Sequence, residues 1–236
     1  MTQRAAERVA ERVAERVAER GGVVDTRSAL LTAARRLFAD HGTEPVSMRS
    51  VAQAAGAKNA GAVQYHFGDR AGLVRAVMGP FEPAAEIRRH VLLDSYEAAG
   101  AAAVAPLAAA LVRPWAAELA LAEGRQYLRI LAHALAQVEP MEDLLASASL
   151  VRWRDLMQPL LSPTAVRMHR RFASIRFATH ELGRRARIDS TRDHRVFGSQ
   201  LIDLVTGLLL APVSDETRQA LAQRAREAAP AEGRAT

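Results

Sequence analysis

The stretch that decides the fold is SMRSVAQAAGAKNAGAVQYHF, at residues 47–67. Ser47 predicts the start of a helix, because a serine hydroxyl can accept a backbone N–H of the first turn. One apolar helical face follows at positions i, i+3, i+4 and i+7: Met48, Val51, Ala52 and Ala55. Gly56 predicts the end of this helix, since glycine tolerates the left-handed conformation that is common just past a helix.

Ala60 to Phe67 predicts a second short helix across a tight, polar turn. The segment is small and apolar on one side, with Gln64, Tyr65 and His66 on the other. Small residues in both helices allow their backbones to come close: Ala52, Ala54, Ala55, Ala60 and Ala62. A helix-turn-helix needs this closeness, because its second helix must protrude far enough to enter the major groove of DNA.

Residues 27–75 resemble the DNA-binding domain of the tetracycline-repressor (TetR) family of bacterial transcription regulators. Several features carry the resemblance at matching spacing: LLTAARRLFADHG at 30–42, Val51-Ala52 after a hydroxyl, Ala55-Gly56, Tyr65-His66-Phe67, and then Arg70 and Leu73. The turn between Ala57 and Tyr65 is a residue or two longer than the commonest family form. The resemblance therefore leaves open which side chain of the second helix meets which base.

The resemblance implies a regulator of transcription in the cytoplasm, most often a repressor. It implies a homodimer that binds a pseudo-palindromic double-stranded operator, needs no cofactor and is released by a small apolar effector. In such domains the residue at Arg70 and the pair Tyr65-His66 approach the DNA backbone, while Arg49 and the start of the recognition helix approach the bases. The alternative is a helical small-molecule-binding protein or enzyme whose N-terminal domain only resembles a DNA reader.

The side chains of this stretch are suited to DNA. Four cations lie at helix starts or in the turn, where phosphates are commonly bound: Arg27, Arg49, Lys58 and Arg70. Gln64 can read adenine through a bidentate amide contact, and Asn59 can either do the same or cap the second helix. The predicted DNA-contact set is Arg27, Ser47, Arg49, Lys58, Asn59, Ala60, Gly61, Gln64, Tyr65, His66 and Arg70.

A helix is predicted on either side of this stretch. The preceding one buries Leu30, Ala33, Ala34, Leu37 and Phe38 and ends at Gly42, and the following one opens at Arg70 and buries Leu73, Val74, Val77 and Met78. Phe67 is predicted to pack in the core against Leu37 and Phe38. Tyr65 fits a core position and a DNA contact equally well.

The composition limits the classes of protein to which this chain can belong. The chain has 236 residues, 49% of them hydrophobic, which is enough for a substantial core. It has no cysteine, so disulfides and thiolate metal sites are excluded, and no apolar run approaches the ~20 residues that span a bilayer. The net charge of +6 favours nucleic acid as a partner, although a genome bias towards Ala and Arg gives the same composition. Motifs such as GxSxG, HExxH and CxxC are absent, so neither an enzyme nor a metal site is expected.

The pattern divides the chain into four regions. These are a charged low-complexity arm at 1–22, the helix-turn-helix domain at 23–80, a helical effector-binding and dimerisation domain at 81–229, and a disordered tail at 230–236. The arm repeats ERVA over residues 7–20, with Arg and Glu at a spacing that stabilises a helix. It is interpreted as a solvated helical arm or, alternatively, as a contact to the DNA backbone.

From residue 84 onward every periodic segment predicts a helix, and none predicts a strand. The predicted helices span 84–97, 103–122, 125–138, 141–157, 164–187 and 193–210, with a last one from 215. Pro114 is expected to kink the second of these helices and Gly124 to end it. The predicted fold class is all-α, with an N-terminal three-helix helix-turn-helix domain followed by a larger helical ligand-binding and dimerisation domain.

The helices at 164–187 and 193–210 carry apolar seams wider than one small core requires. They are therefore predicted to pair with their symmetry mates in a four-helix interface, or alternatively to be buried within one subunit. The predicted interface residues are Met168, Ile175, Leu182, Leu201, Val205 and Leu208.

The middle helices are predicted to enclose an effector cavity, because a regulated repressor needs a signal that changes the spacing of its two DNA-reading helices. A coupling of ~1–3 kcal/mol changes DNA affinity by about 5- to 150-fold. The predicted lining is aromatic with a few polar groups: Trp115, Tyr127, His133, Trp153, Met157, Phe172 and Arg176. Each also fits core packing, and Arg176 is expected to meet a carboxylate of the protein or of the ligand.

Overall fold

The computed structural model describes residues 26–57, 59, 61–100, 102–136, 147–188 and 193–228. Every regular element in these ranges is a helix, so the predicted all-α class is confirmed. The arm at 1–22, the tail at 230–236 and the predicted DNA contacts Lys58 and Ala60 lie outside the described residues.

Four helices form the N-terminal part: α1 at 26–41, α2 at Met48–Ala54, α3 at Ala62–Phe67 and α4 at Arg70–Met78. Their predicted apolar faces are buried together: Leu30, Ala33, Ala34, Phe38, Val51, Ala52, Leu73, Val74, Val77 and Met78. Gly42 follows α1 with φ 85° and Gly56 follows α2 with φ 69°, so both predicted helix ends are confirmed. Phe67 packs against this core, half-buried.

The larger part contains α5 at Glu82–Ala99, α6 at Val104–Ala116, α7 at Ala122–Ala136, α8 at Ala148–Met157, α9 at Pro163–Arg167, α10 at Arg170–Arg185, α11 at Arg195–Leu210 and α12 at Asp215–Ala228. α7 packs mainly on α10, while α6 packs on α5 and α11. Trp153 of α8 is buried, and its indole N–H donates to the Leu107 carbonyl oxygen at 2.7 Å. A buried indole N–H needs such an acceptor, so this bond fixes α8 against α6.

The prediction that Gly124 ends a helix is wrong. The chain leaves α6 through a 3-10 turn at Ala117–Ala120 and breaks at Leu121, where the backbone is extended with φ −110° and ψ 144°. Gly124 lies inside α7, and a Cβ there would be 2.2 Å from the Glu118 carbonyl oxygen. This glycine permits a close approach of two chain segments, which a local pattern does not distinguish from a helix stop.

The helix predicted at 164–187 is divided in two. Ser162 caps α9 by accepting the Ala165 backbone N–H at 3.2 Å. His169 then takes a left-handed conformation with φ 51°, and α10 begins after it. Histidine enters this conformation more often than most residues, but it is no standard helix breaker, so the apolar periodicity predicted one continuous helix.

No single helix among the described residues is long and apolar enough to cross a membrane. By length and composition alone, α11 and α12 pass that test as a pair, with a 51° bend between them. α11 buries Leu201, Val205 and Leu209 inside the protein. Within the described ranges, no group of three or more His, Asp or Glu side chains could hold a metal ion.

Gly183→Ala is expected to lower the free energy of unfolding by about 1–3 kcal/mol, because overpacking a close contact forces side chains and backbone apart. A Cβ on Gly183 would be 2.6 Å from the Ala132 Cβ and 3.3 Å from the Leu128 carbonyl oxygen, where α10 crosses α7. Gly198→Ala of α11 is the matched control, since a Cβ there meets nothing within 4 Å, and helix propensity predicts a gain of roughly 0.5–1 kcal/mol. Urea unfolding measures both, and equal effects would contradict the close packing of α7 and α10.

Candidate nucleic-acid interface

Ser47 fixes the start of α2, as predicted. Its Oγ accepts the Ser50 backbone N–H at 3.0 Å, and the Ser50 Oγ donates to the Ser47 carbonyl oxygen at 2.7 Å. Arg49 lies between them in the first turn and is exposed. The cap therefore fixes the backbone at Arg49. The Arg49 side chain is exposed to solvent, where it can contact DNA.

Asn59 lies two residues before the N-cap of α3, which is Gly61, so its predicted role as the N-cap of that helix is wrong. Its Oδ1 accepts the Gly61 backbone N–H at 2.8 Å, and its carbonyl oxygen accepts the Ala62 N–H at 3.1 Å. These bonds begin α3 at Ala62, later than the predicted start at Ala60. A bidentate contact to adenine needs both the amide oxygen and the amide nitrogen, so the bond from Gly61 to the Asn59 Oδ1 competes with the predicted adenine contact.

The helix α3 buries one face and exposes the other. Val63 is 0% exposed and anchors the helix in the domain, whereas Tyr65 is 82% exposed. Gln64 is also exposed, and the His66 ring meets the Tyr65 ring edge-on with 5.0 Å between centroids. Tyr65 is therefore not a core residue, which excludes one of its two predicted roles. An amide and a phenol that protrude together can hydrogen-bond to base edges and phosphates.

Arg70 is engaged within the protein. Its Nη1 donates to the Thr43 carbonyl oxygen and, at 3.2 Å, to the Glu44 carbonyl oxygen. Asp69 accepts the Gly72 N–H at 2.7 Å and caps α4 beside it. Arg70 thus ties α4 to the loop between α1 and α2. If Arg70 also contacts the DNA backbone as predicted, it has to use the guanidinium N–H groups that do not bind these carbonyls.

Arg27 links the start of α1 to the end of α3. Its guanidinium carbon lies 5.3 Å from the centroid of the Phe67 ring, a distance at which a cation is attracted to an aromatic face. The predicted DNA contacts within the described residues therefore lie at the start of α1, the start of α2, along α3 with its preceding turn, and at the start of α4.

The side chains predicted to line one effector cavity lie in separate places. Trp115 and Tyr127 are buried and lie close together. Met157 is also buried. Trp153 and Phe172 line a cleft of about 230 Å³, completed by Leu150, Arg154, His169, Arg171 and Ile175.

Arg176 is exposed on α10, next to that cleft. Its guanidinium carbon lies 5.8 Å from the Phe172 ring centroid, and its Nη2 donates to the Ala136 carbonyl oxygen at 3.3 Å. The acceptor that the described residues provide is thus a backbone carbonyl, whereas a carboxylate was predicted.

His133 lies between the two parts of the protein. A Cβ on Gly42 would be 3.2 Å from the His133 Nδ1, so the end of α1 packs directly on α7. Asp40 of α1 and Arg129 of α7 form an ion pair at 2.7 Å next to this contact. Burial, together with the charges of Arg187 and Arg129, lowers the pKa of His133. α7 therefore contacts the N-terminal part of the protein directly through α1.

The six predicted interface residues fall into two groups. Ile175, Leu182, Leu201 and Val205 are buried within the protomer, which is the alternative that the sequence left open. Leu208 is half-buried, and Met168 is 39% exposed in the break before α10. The large apolar side chains that α11 exposes are different ones, with Val196 77%, Leu204 48% and Leu210 56% exposed, and the exposed Asp203 lies among them.

Two features of the structure have no counterpart in the predictions. One is the contact of α1 with α7, whose residues are far apart in the chain and carry no local signal. The other is Arg89, which is 1% exposed on α5. Its position between Ala85 and Leu93, at a spacing of four, is a signal in the sequence, because an apolar helical stripe there contains an arginine.

Comparisons with known proteins agree on the N-terminal part. Residues 30–77 match the model of a family described as bacterial regulatory proteins, tetR family. The HTH-type transcriptional repressor AcnR of Corynebacterium efficiens is 43% identical over 54 residues, which are 23% of this chain and 28% of that repressor. This chain thus matches less than a third of the length of that relative.

Among solved structures, the crystal structure of Mycobacterium smegmatis AmtR is similar to this fold with a TM-score of 0.44. The sequence identity is 18%, and the similarity covers 84% of this chain and 92% of that chain. The similarity to the tetR family therefore rests on residues 30–77.

Proposed function

We propose that this tetR-family regulator of transcription, identified by residues 30–77, is a repressor that binds a pseudo-palindromic operator as a homodimer and releases it when a small molecule binds. The observation that supports the proposal most directly is the orientation of α3, with one face buried and the other exposed. Val63 is buried while Gln64 and Tyr65 protrude, which is how a recognition helix must be held to enter the major groove.

The proposed division of roles follows from where each side chain lies. Gln64 reads a base through its amide, and Tyr65 positions the helix by a hydrogen bond to the DNA backbone. Arg49 adds a contact from the start of α2, and Arg27 supports the end of α3 through the Phe67 ring. Only α3 inserts into the groove, so a single protomer reads few base pairs.

Pairing of two protomers is proposed to occur through the exposed face of α11. Dimeric helix-turn-helix proteins bind half-sites whose centres are ~34 Å apart, one turn of the duplex. The exposed side chains of Val196, Leu204 and Leu210 lie around the exposed Asp203, and together they form a surface that a second copy can cover with the same surface in an isologous contact. Gly207 lies on this face, and a Cβ there would have no neighbour within 4 Å, so another helix can approach closely.

Effector release is proposed to act through α7. This helix contacts α1 through the Asp40–Arg129 ion pair and the packing of Gly42 on His133. A ligand that shifts α7 would therefore shift the whole DNA-binding domain and change the spacing of the two recognition helices. Since such a repressor acts on chromosomal DNA, we place it in the cytoplasm.

The proposal is tested by the affinity of the purified protein for the DNA upstream of its own gene, measured by fluorescence anisotropy over a salt titration. Six to ten phosphate contacts in a dimer predict a loss of about 10³-fold or more between roughly 50 and 200 mM salt, because condensed counterions are released on binding. A scrambled duplex of equal length and composition is the control. Equal affinity for both duplexes, or no dependence on salt, would instead favour a helical small-molecule-binding protein or enzyme.

A further inference from the structure

Arg89 is a charged side chain in the apolar face of α5. The buried residues of this helix are Ala85, Arg89 and Leu93. Burial lowers the pKa of Arg89 to about 10. A group with that pKa still carries its proton at neutral pH, so a full positive charge lies inside the protein.

The hydrogen bonding of this guanidinium is incomplete. Its Nη1 donates to the Ser149 Oγ at 2.8 Å, while Nε and Nη2 are buried and have no hydrogen-bond partner among the described residues. Glu86 is the carboxylate whose charge acts on Arg89, yet both its oxygens accept the Ser149 backbone N–H at 3.0 Å. A buried charged donor without an acceptor is costly, so an acceptor from outside the described chain is expected here.

The two unpartnered donors define what that acceptor is. Nε–H and Nη2–H lie on the same edge of the planar guanidinium, and this fork matches the two oxygens of a carboxylate. The Trp115 ring lies 4.8 Å from the guanidinium carbon. Tyr127 also lies close to Arg89 and is buried. Two carboxylates lie near Tyr127. Arg88 binds Glu118, and burial together with the charge of Glu86 raises the pKa of Glu82.

We propose that Arg89 binds the carboxylate of a small organic acid with an apolar body, and that this acid is the effector. This inference rests on the proposed function and names the chemistry of its ligand. Arg89 donates to both carboxylate oxygens, and the body of the acid packs on Trp115 and Tyr127. The Tyr127 ring is stacked on Phe81 with 4.8 Å between centroids, and Phe81 lies 5.7 Å from the Arg35 guanidinium carbon of α1. A ligand that moves Tyr127 therefore acts on α1, the first helix of the DNA-binding domain.

Benzoate and benzamide are matched probes, since they share a ring and differ in the group that Arg89 would bind. Hexanoate and hexanamide repeat the comparison with an aliphatic body. In calorimetric titrations of the full chain without DNA, we expect each acid to bind at least about 10-fold more tightly than its amide, because hydrogen bonds to charged groups are stronger than neutral ones. Arg89→Met replaces the guanidinium with an apolar side chain and so removes its two N–H donors. This variant should therefore lose the preference for the acid. Arg113→Met, at an exposed arginine of α6, is the control and should keep it.

If neither acid binds the wild-type protein more tightly than its amide, the proposal is overturned, whether or not Arg89→Met folds. The same result follows if Arg89→Met folds and still prefers the acid. Each acid that binds is then added to the complex with operator DNA, where a loss of DNA affinity of at least about 5-fold is expected. Acid binding with unchanged DNA affinity would overturn the role as effector. A protein that prefers the acid but binds no DNA would instead count against the proposed function.

Discussion

Replacing Leu204 by arginine is expected to convert the dimer into monomers and to weaken operator binding by at least about 100-fold. Leu204 lies on the exposed face of α11 with Val196 and Leu210, whereas Leu201 and Val205 of the same helix are buried within the protomer. A new charge at Leu204 therefore leaves the protomer core intact. In an isologous contact the substitution introduces a charge on both sides of the interface, and burying a charge without a partner is strongly unfavourable.

Loss of pairing reduces DNA affinity because each recognition helix then binds a half-site alone. Sedimentation velocity measures the assembly, and fluorescence anisotropy measures operator binding. Leu121→Arg is the matched control, since Leu121 is 66% exposed between α6 and α7, and this variant is expected to stay dimeric and bind DNA normally. A Leu204→Arg protein that remains dimeric would contradict the α11 interface. A monomeric variant with full operator affinity would show that pairing is not needed.

The N-terminal domain could be predicted almost helix by helix. Its apolar residues recur at helical spacing, and the helix ends at Gly42 and Gly56 depend on the local conformation of single glycines. The cap at Ser47 is equally local, since its acceptor and donor are three residues apart. Signals of this kind lie within a few residues of one another, so they are visible in the sequence.

The errors occur where contacts distant in the chain decide the backbone. Gly124 has the composition of a helix stop, yet its role is to let α7 approach the Glu118 carbonyl oxygen. His169 breaks a helix whose apolar periodicity continues through it. Ile175 and Leu201 form seams as wide as an interface needs, but α7 and α6 of the same protomer cover them. Periodicity shows that a face is apolar and does not show which partner covers it.

The same reasoning explains why Arg89 was not among the predicted effector residues. Trp115 and Tyr127 were predicted from their aromatic character, and they do adjoin Arg89. The incomplete hydrogen bonding of the guanidinium depends on Ser149, sixty residues later in the chain, and on the bonds that already occupy Glu86. Which donors of an arginine remain unpartnered can be determined only once these residues are placed in space.

Truncating Gln64 and Tyr65 together to alanine is expected to lower operator affinity by about 100- to 1,000-fold, with little change in the free energy of unfolding. Both side chains are exposed on α3, and surface substitutions usually change stability by less than ~0.5 kcal/mol. A good bidentate base contact is worth about 1–3 kcal/mol, and both protomers of a dimer lose it. Arg70→Ala would be a poorer test, because Arg70 holds the Thr43 and Glu44 carbonyls and its loss would disturb the loop before α2.

The single variants separate the two proposed roles. Gln64→Ala should weaken binding to the operator much more than to a scrambled duplex, because the amide reads bases. Tyr65→Ala should weaken both by similar factors, because a backbone contact carries no sequence information. Anisotropy titrations against the two duplexes measure this, with Gln223→Ala on the exposed surface of α12 as the control. If the double variant binds operator as tightly as the wild type while remaining folded, α3 is not the element that enters the groove, and the proposed mode of DNA binding is wrong.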